Sequence, residues 1–234
     1  MKTLVFDAGP IISLTMNNLL WLLEPLQKKF RGDFYITEAV RKEVVDKPLA
    51  TRMFKLEALQ IQQAISSGFL KIVDNRLIEA KSDYLFNLSN SCFSAKGHPV
   101  RIVHIGEIST IAAAINLGSS AVAIDESITR NLIEKPESIA KRMESRLHTK
   151  VSANRDNLLK LTQEISKIKV IRSVELAAIA YETGMLEKLI SPGEEKSIPN
   201  LKRTLLESVL WGVKLNGCSV SEKEINQIIE MESV

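Results

Sequence analysis

Lys2-Thr-Leu-Val-Phe6, followed at once by Asp7-Ala-Gly-Pro10, is the stretch on which the reading of the fold turns. Five strand-forming, mostly apolar residues end on a carboxylate. Gly9 then relaxes a turn and Pro10 suits the first turn of a helix. A strand therefore runs straight into a helix, with Asp7 at the junction. Working outward, the same order recurs. Helical spacing over 19–30 precedes a short aromatic strand at 34–36, after which Thr37 caps a helix running to Val45. A helix over 53–65 leads to a strand at 69–73 and a further helix over 76–88, and 89–104 reads as a polar connection. A small-residue helix over 107–117 closes at Gly118; the apolar strand 120–124 ends on Asp125-Glu126, and the helix 128–133 stops before Pro136. A last unit pairs the strand 169–171 with a helix over 173–181, and two tail helices occupy 201–215 and 221–231, the second opened by a Ser221/Glu224 capping box.

Alternating strands and helices predict the α/β class: a parallel sheet covered on both faces, with right-handed crossovers. In such sheets the functional crevice lies beyond the carboxyl ends of the strands, where Asp7 and Asp125 fall. The chain of 234 residues, 45% hydrophobic and 25% charged, fits one large domain with an appendage and excludes disordered and collagen-like classes. No apolar run is long enough to span a bilayer, and Lys2–Phe6 is too short for a signal-peptide core, so the expectation is a cytoplasmic protein with no membrane partner. Cys92 and Cys218 have no CxxC spacing and indicate neither a zinc site nor a disulfide framework. The net charge of +3 is unevenly spread: between Lys135 and Arg172 ten basic residues face four acids, leaving the rest of the chain at −3.

A carboxylate at the end of an apolar strand is costly unless it caps a helix, pairs with a base or holds a cation. Asp7 alone reads equally as a helix N-cap, and so does Asp125. Two such acids in one crevice repel each other, and a cation resolves the repulsion. Glu43, six residues beyond Thr37, and Glu107, in the first turn of the helix before the 120–124 strand, are further candidates; each alone also reads as an ordinary solvated helix charge.

The succession Val5-Phe6-Asp7-Ala8-Gly9-Pro10-Ile11-Ile12-Ser13, Ile36-Thr37-Glu38-Ala39-Val40-Arg41-Lys42-Glu43, Gly106-Glu107-Ile108 and Ile124-Asp125-Glu126 with Arg130 resembles the PIN-domain nucleases. The resemblance covers about residues 1–190, and the tail Asn216-Gly-Cys-Ser-Val-Ser221 is similar to that of a branch related to toxin-type ribonucleases. It implies a three-layer α/β/α sandwich, to which this chain adds a basic helical insertion at about 134–168 and a C-terminal helical extension, 191–234, expected to pack on the same domain. It implies metal-dependent endoribonuclease activity, with Mg²⁺ or Mn²⁺ as cofactor. Asp7, Glu43, Glu107 and Asp125 match the catalytic, metal-holding acids, with Glu126 a fifth metal candidate. Hard divalent ions favour such carboxylate oxygens. Ser13, Arg130, Arg142, Arg146, Lys150, Arg172 and Ser173 are the residues set toward nucleic acid. RNA is the expected partner, with a homodimer and an antitoxin or other protein partner as further expectations. Departures from the family pattern are Glu at the third acid where Asp is commoner, Arg172-Ser173 where Gly-Thr is frequent, and an insertion long enough to place a helix pair over the mouth of the site.

Other readings stand beside this one. The basic insertion reads either as a track for a phosphate backbone or as a solvated amphipathic face with Leu158, Leu161, Ile165 and Ile168 underneath. It carries no aromatic residue for base stacking. His98 and His104 are loop or strand-edge residues that could also reach the crevice, and His148 a surface member of the basic helix. An aspartyl phosphatase lacks its second Asp, position 9 being Gly, and a dinucleotide-binding fold lacks its GxGxxG spacing. A catalytically weak PIN-like module that binds RNA or protein in an RNA-processing complex is the rival from another class.

Overall fold

The computed structural model describes residues 2–194 and 197–232. In chain order the strands are β1 (Lys2–Phe6), β2 (Gly32–Thr37), β3 (Lys71–Val73), β4 (Phe93–Ala95), β5 (His98–Pro99), β6 (Ala121–Ala123), β7 (Val151–Ala153) and β8 (Lys169–Ile171). Five of them form one parallel sheet in the order β3-β2-β1-β6-β8. β1 therefore lies at the point where the winding reverses, with Leu4 opposite Phe34 on one side and Ala121 on the other. Helices cover both faces, giving the α/β/α sandwich.

Pleating explains the two cores. Successive side chains of a strand point to opposite faces. Leu4 and Phe6 accordingly join a cluster with Phe34, Ile36, Ile11 and Leu14, while Val5 joins another with Val122, Ile124, Ile108 and the alanines of the Ile105–Asn116 helix. That helix is small-sided where it meets the sheet, and Ala112, Ala113 and Ala114 are fully buried. The tail helix Leu201–Leu215 packs on the Ala8–Met16 and Ser173–Glu182 helices, and Leu206, Leu210 and Val213 belong to the first cluster.

Two sequence expectations are corrected here. The 89–104 connection is not wholly irregular: β4 and β5 form a hairpin, and β4 also pairs antiparallel with β7 from the basic insertion. The insertion itself consists of the Ser138–Leu147 helix, β7 and the Arg155–Ile165 helix. It does not lie over the mouth of the crevice. Its second helix docks on the Glu79–Asn90 helix, joined by a Lys81–Glu164 ion pair of 2.8 Å, with Leu161, Ile165 and Ile168 buried in the second cluster. The burial of that apolar face is what fixes the insertion to the flank. Among the described residues no helix is long and apolar enough to cross a membrane.

Candidate functional site

Five carboxylates line one pocket of about 540 Å³ at the carboxyl ends of β1, β2 and β6: Asp7, Glu43, Glu107, Asp125 and Glu126. Asp7 is the first residue after β1. Its amide donates to the Ala123 carbonyl at 2.9 Å, which ties the β1 exit to β6. It holds an extended conformation at the start of the Ala8–Met16 helix but makes no side-chain capping hydrogen bond of ordinary geometry. Only 5% of Asp7 is exposed. That burial, then the charge of Glu107 and more weakly that of Glu43, pushes its pKa from 3.8 up to about 7, against a partial offset from the Ala8 and Gly9 amides. Gly9 lets this turn sit against Asp125, because a Cβ there would stand 3.1 Å from the Asp125 Cβ.

Asp125 is held quite differently. Its Oδ1 accepts from the Ser173 amide at 2.7 Å, and its Oδ2 accepts from the Ser13 hydroxyl at 2.8 Å and the Ser173 hydroxyl at 2.7 Å. Its carbonyl accepts from the Ser219 amide at 3.1 Å. The donors come from three separate segments, at Ser13, Ser173 and Ser219, so the residue is fixed by the tertiary fold rather than by its own turn.

Glu107 lies in the first turn of the Ile105–Asn116 helix, where its Oε2 accepts from the His104 amide at 2.7 Å. Burial and then the Glu126 charge raise its pKa, against the His104 amide. Glu126 caps the Ser127–Glu134 helix by accepting from the Thr129 amide at 2.7 Å. Glu43 sits in a π-helical turn, Lys42–Asp46, that interrupts the helix Thr37 begins. A π-turn widens the backbone by a residue and is frequent at functional sites. Here it accompanies a carboxylate that reaches the start of the Ile105–Asn116 helix, since a Cβ on Gly106 would lie 3.5 Å from Glu43 Oε2.

The remaining candidates divide. Ser13 and Ser173 are fully buried and spend their hydroxyls on Asp125. Arg172 donates to Glu175 and, at 2.9 Å, to Glu224, and its Nη1 also reaches the Ser219 carbonyl at 3.2 Å. Arg130 donates to that same carbonyl at 3.0 Å. These four residues, set toward nucleic acid in the sequence, turn inward in the structure because acceptors of the fold and tail claim their donors. Arg142, Arg146 and Lys150 are all exposed on the insertion, and Arg142 donates to the Ser127 hydroxyl at 2.6 Å. His98 is exposed in β5, and His148 takes a left-handed conformation after the Ser138–Leu147 helix.

Sequence reasoning missed Lys47, Arg101, Ile12 and Gly217, all of which line the pocket, and set His104 more toward a loop role although it lines the pocket too. His104 stood three residues before Glu107 as a signal; for Gly217, distant in sequence, the chain offered none. Gly217 has φ of 116°, a conformation only glycine adopts readily, and this lets the tail wall off the pocket. The lining thus places five acids against Lys47 and Arg101, with Asp7 and Asp125 buried, Glu107 and Glu126 half-buried and Glu43 exposed.

A family model described as DUF3368, a PIN domain, matches residues 3–137, more than half of the chain. The chain belongs to the PIN-domain family. PIN domains are in general a nuclease fold and typically bind divalent metals. No curated protein and no solved structure matches the chain. Among the described residues no three His, Cys, Asp or Glu side chains stand close enough together to hold a metal ion as they are. The donor set nevertheless fits a hard divalent cation, because its oxygens are carboxylates and, among the described residues, no cationic side chain offsets the raised pKa of Asp7.

Proposed function

We propose that this PIN domain is a metal-dependent endoribonuclease of the toxin-type branch, with Asp7, Glu43, Glu107 and Asp125, and Glu126 beside them, holding Mg²⁺ or Mn²⁺. The observation that carries the reading is the burial of Asp7 among like charges, which costs stability unless a cation joins it. A bound divalent ion would supply Lewis-acid stabilisation of the phosphoryl oxygens and a more acidic bound water. The protein's own part is positional. Ser13 and Ser173 fix the Asp125 carboxylate, Asp7 and Glu107 draw the cation to the strand ends, and Lys47 and Arg101 on the lining attract the phosphodiester. In the net hydrolysis, water oxygen bonds to phosphorus, the bond from phosphorus to one ribose oxygen breaks, and that oxygen leaves as a hydroxyl. Exposed Arg146 and Lys150 extend the positive surface for an RNA strand. We place the protein in the cytoplasm, with RNA as substrate and with a second copy or an inhibitory protein as further partners. Titration calorimetry with Mn²⁺ tests the reading: the wild type binds, and Asp7→Asn binds at least tenfold more weakly. Equal binding by both proteins would remove Asp7 from the metal site. Absence of binding by the wild type would favour a catalytically weak RNA- or protein-binding module.

A further inference from the structure

A second cavity, of about 390 Å³, adjoins the acidic pocket and shares Ile12 and Glu43 with it. Its character is opposite. Met16, Val44, Phe54 and Ile61 line it with Ile12, and the acids on its wall are Glu43 and Glu57. Ile12, Met16 and Phe54 keep 38%, 39% and 48% of their surface exposed, a concave apolar patch that water must cover.

Phe54 is the aromatic residue on that lining, and its backbone is strained. Its φ of 62° and ψ of 23° place it in the left-handed region, which a bulky side chain seldom occupies. A residue held in such a conformation at a cavity rim is where function is to be sought. The loop that presents it is pinned, because the Thr51 hydroxyl lies 3.1 Å from both the Pro48 and the Met53 carbonyls.

Resting on the nuclease reading, we infer that this cavity is a nucleobase subsite that takes an unpaired base next to the phosphate being cut, stacked on Phe54. A strand whose phosphate sits among the acids meets the shared Ile12/Glu43 wall, with this cavity on its other side. Beyond that wall the lining is apolar and the acids repel phosphate, so the base enters and the backbone stays out. Glu57, on this wall and outside the acidic pocket, also accepts hydrogen bonds from a base's N–H edge. A paired base has both faces and its edge already occupied, so the subsite selects single-stranded RNA or a splayed loop base.

The test is a short single-stranded RNA carrying 2-aminopurine at successive positions, bound in Ca²⁺ to the wild type, Phe54→Tyr and Phe54→Gly. The wild type and Phe54→Tyr should quench the fluorophore at one position. Phe54→Gly should abolish that quench and weaken binding by roughly 5- to 150-fold, the range expected for one lost base stack. Because glycine tolerates positive φ, Phe54→Gly should melt no lower than the wild type, which separates a lost subsite from a lost fold. An abasic nucleotide at the quenched position should weaken wild-type binding equally and Phe54→Gly binding no further. RNA that binds and is cut in Mn²⁺ with no Phe54-dependent quench overturns the subsite while leaving the nuclease reading in place. RNA that neither binds nor is cut overturns both, and the apolar cavity then reads as a docking groove for a protein helix.

Discussion

The segment matched by the family model, residues 3–137, and the segment beyond it contribute different things to the same pocket. All five acids lie in the matched segment. The later segment supplies Ser173, whose amide and hydroxyl hold the Asp125 carboxylate, and Ser219, whose amide holds the Asp125 carbonyl. It also supplies the Arg172–Glu224 ion pair, which fastens the tail beside Ser219. Asp7, which receives no such support, is the carboxylate whose pKa climbs to about 7. A charge held by donors is a finished piece of structure, whereas one left among other acids is poised to take a cation. On the proposed nuclease reading, the acids that would hold the cation lie in the matched segment, and the later segment, together with Ser13, aligns Asp125.

Changes that break this division should differ in size. The largest concerns Asp7. An acid whose pKa rises on folding binds more protons when folded than unfolded, so stability falls as pH rises from about 4 to about 7. At about 1.4 kcal/mol per pKa unit the cost is of the order of 4 kcal/mol above pH 7. Metal-free wild type should therefore lose denaturant stability over that window, Asp7→Asn should lose much less, the remainder coming from Glu107, and Mn²⁺ should restore the wild type at pH 7.5. Parallel pH profiles for both proteins would show that Asp7 is not destabilised by its neighbours.

Ser173→Ala comes next. It removes one of the donors to Asp125 Oδ2 while leaving the backbone amide in place. Loss of an outer partner to a metal-binding carboxylate typically costs 10–100-fold. Cleavage or Mn²⁺ affinity should drop in that range with the circular dichroism unchanged, and full activity would mean that Ser13 and the Ser173 amide suffice.

How much of this was legible in the sequence depends on how local each cause is. The β1 strand, its exit through Asp7-Ala-Gly-Pro10, β8 at Lys169–Ile171 and the Ser221/Glu224 capping box are set by adjacent residues and could be read directly. β4 and β7 could not, because each is three residues long and finds its partner far along the chain, Phe93 opposite Ala153. The π-turn at Lys42–Asp46 was hidden for a related reason: nothing in Lys42-Glu-Val-Val-Asp46 departs from an ordinary helical pattern. Four of the acids were legible because each follows a strand or lies at a helix start; Glu43, six residues beyond Thr37, was legible through the family pattern. The inward roles of Ser13, Arg130, Arg172 and Ser173 were not, since a basic or hydroxyl residue near a crevice looks the same whether it faces substrate or an acid 48 residues away, as Ser173 faces Asp125.

A smaller effect follows from Glu224→Gln. Burial opposes the charge of Glu224, but the Ser221 hydroxyl and amide and the Arg172 guanidinium hold its pKa down at about 2. An acid with a depressed pKa stabilises above its unfolded value of 4.5 and loses that contribution as pH falls toward 2. Glu224→Gln should thus lower stability at pH 6 modestly and flatten its decline below pH 4.5. A melting curve as acid-sensitive as that of the wild type would argue against the clamp.

The smallest effect concerns the flank. Replacing Arg142, Arg146 and Lys150 together by Ala should weaken RNA binding severalfold. Arg142 is engaged with Ser127, so the other two should dominate and reduce the slope of log K against log salt by about 1.4 for a single strand. An unchanged slope would leave the insertion as a solvated helical face.

The central claim, that a cation among these carboxylates cuts RNA, is tested most directly by incubating a mixed pool of structured and single-stranded RNA with wild type and Asp7→Asn in Mn²⁺, in Mg²⁺ and in chelator. The account predicts cuts by the wild type that require the metal and fall to background in Asp7→Asn. Cuts that persist in chelator, or equal cutting by a folded Asp7→Asn protein, would contradict it.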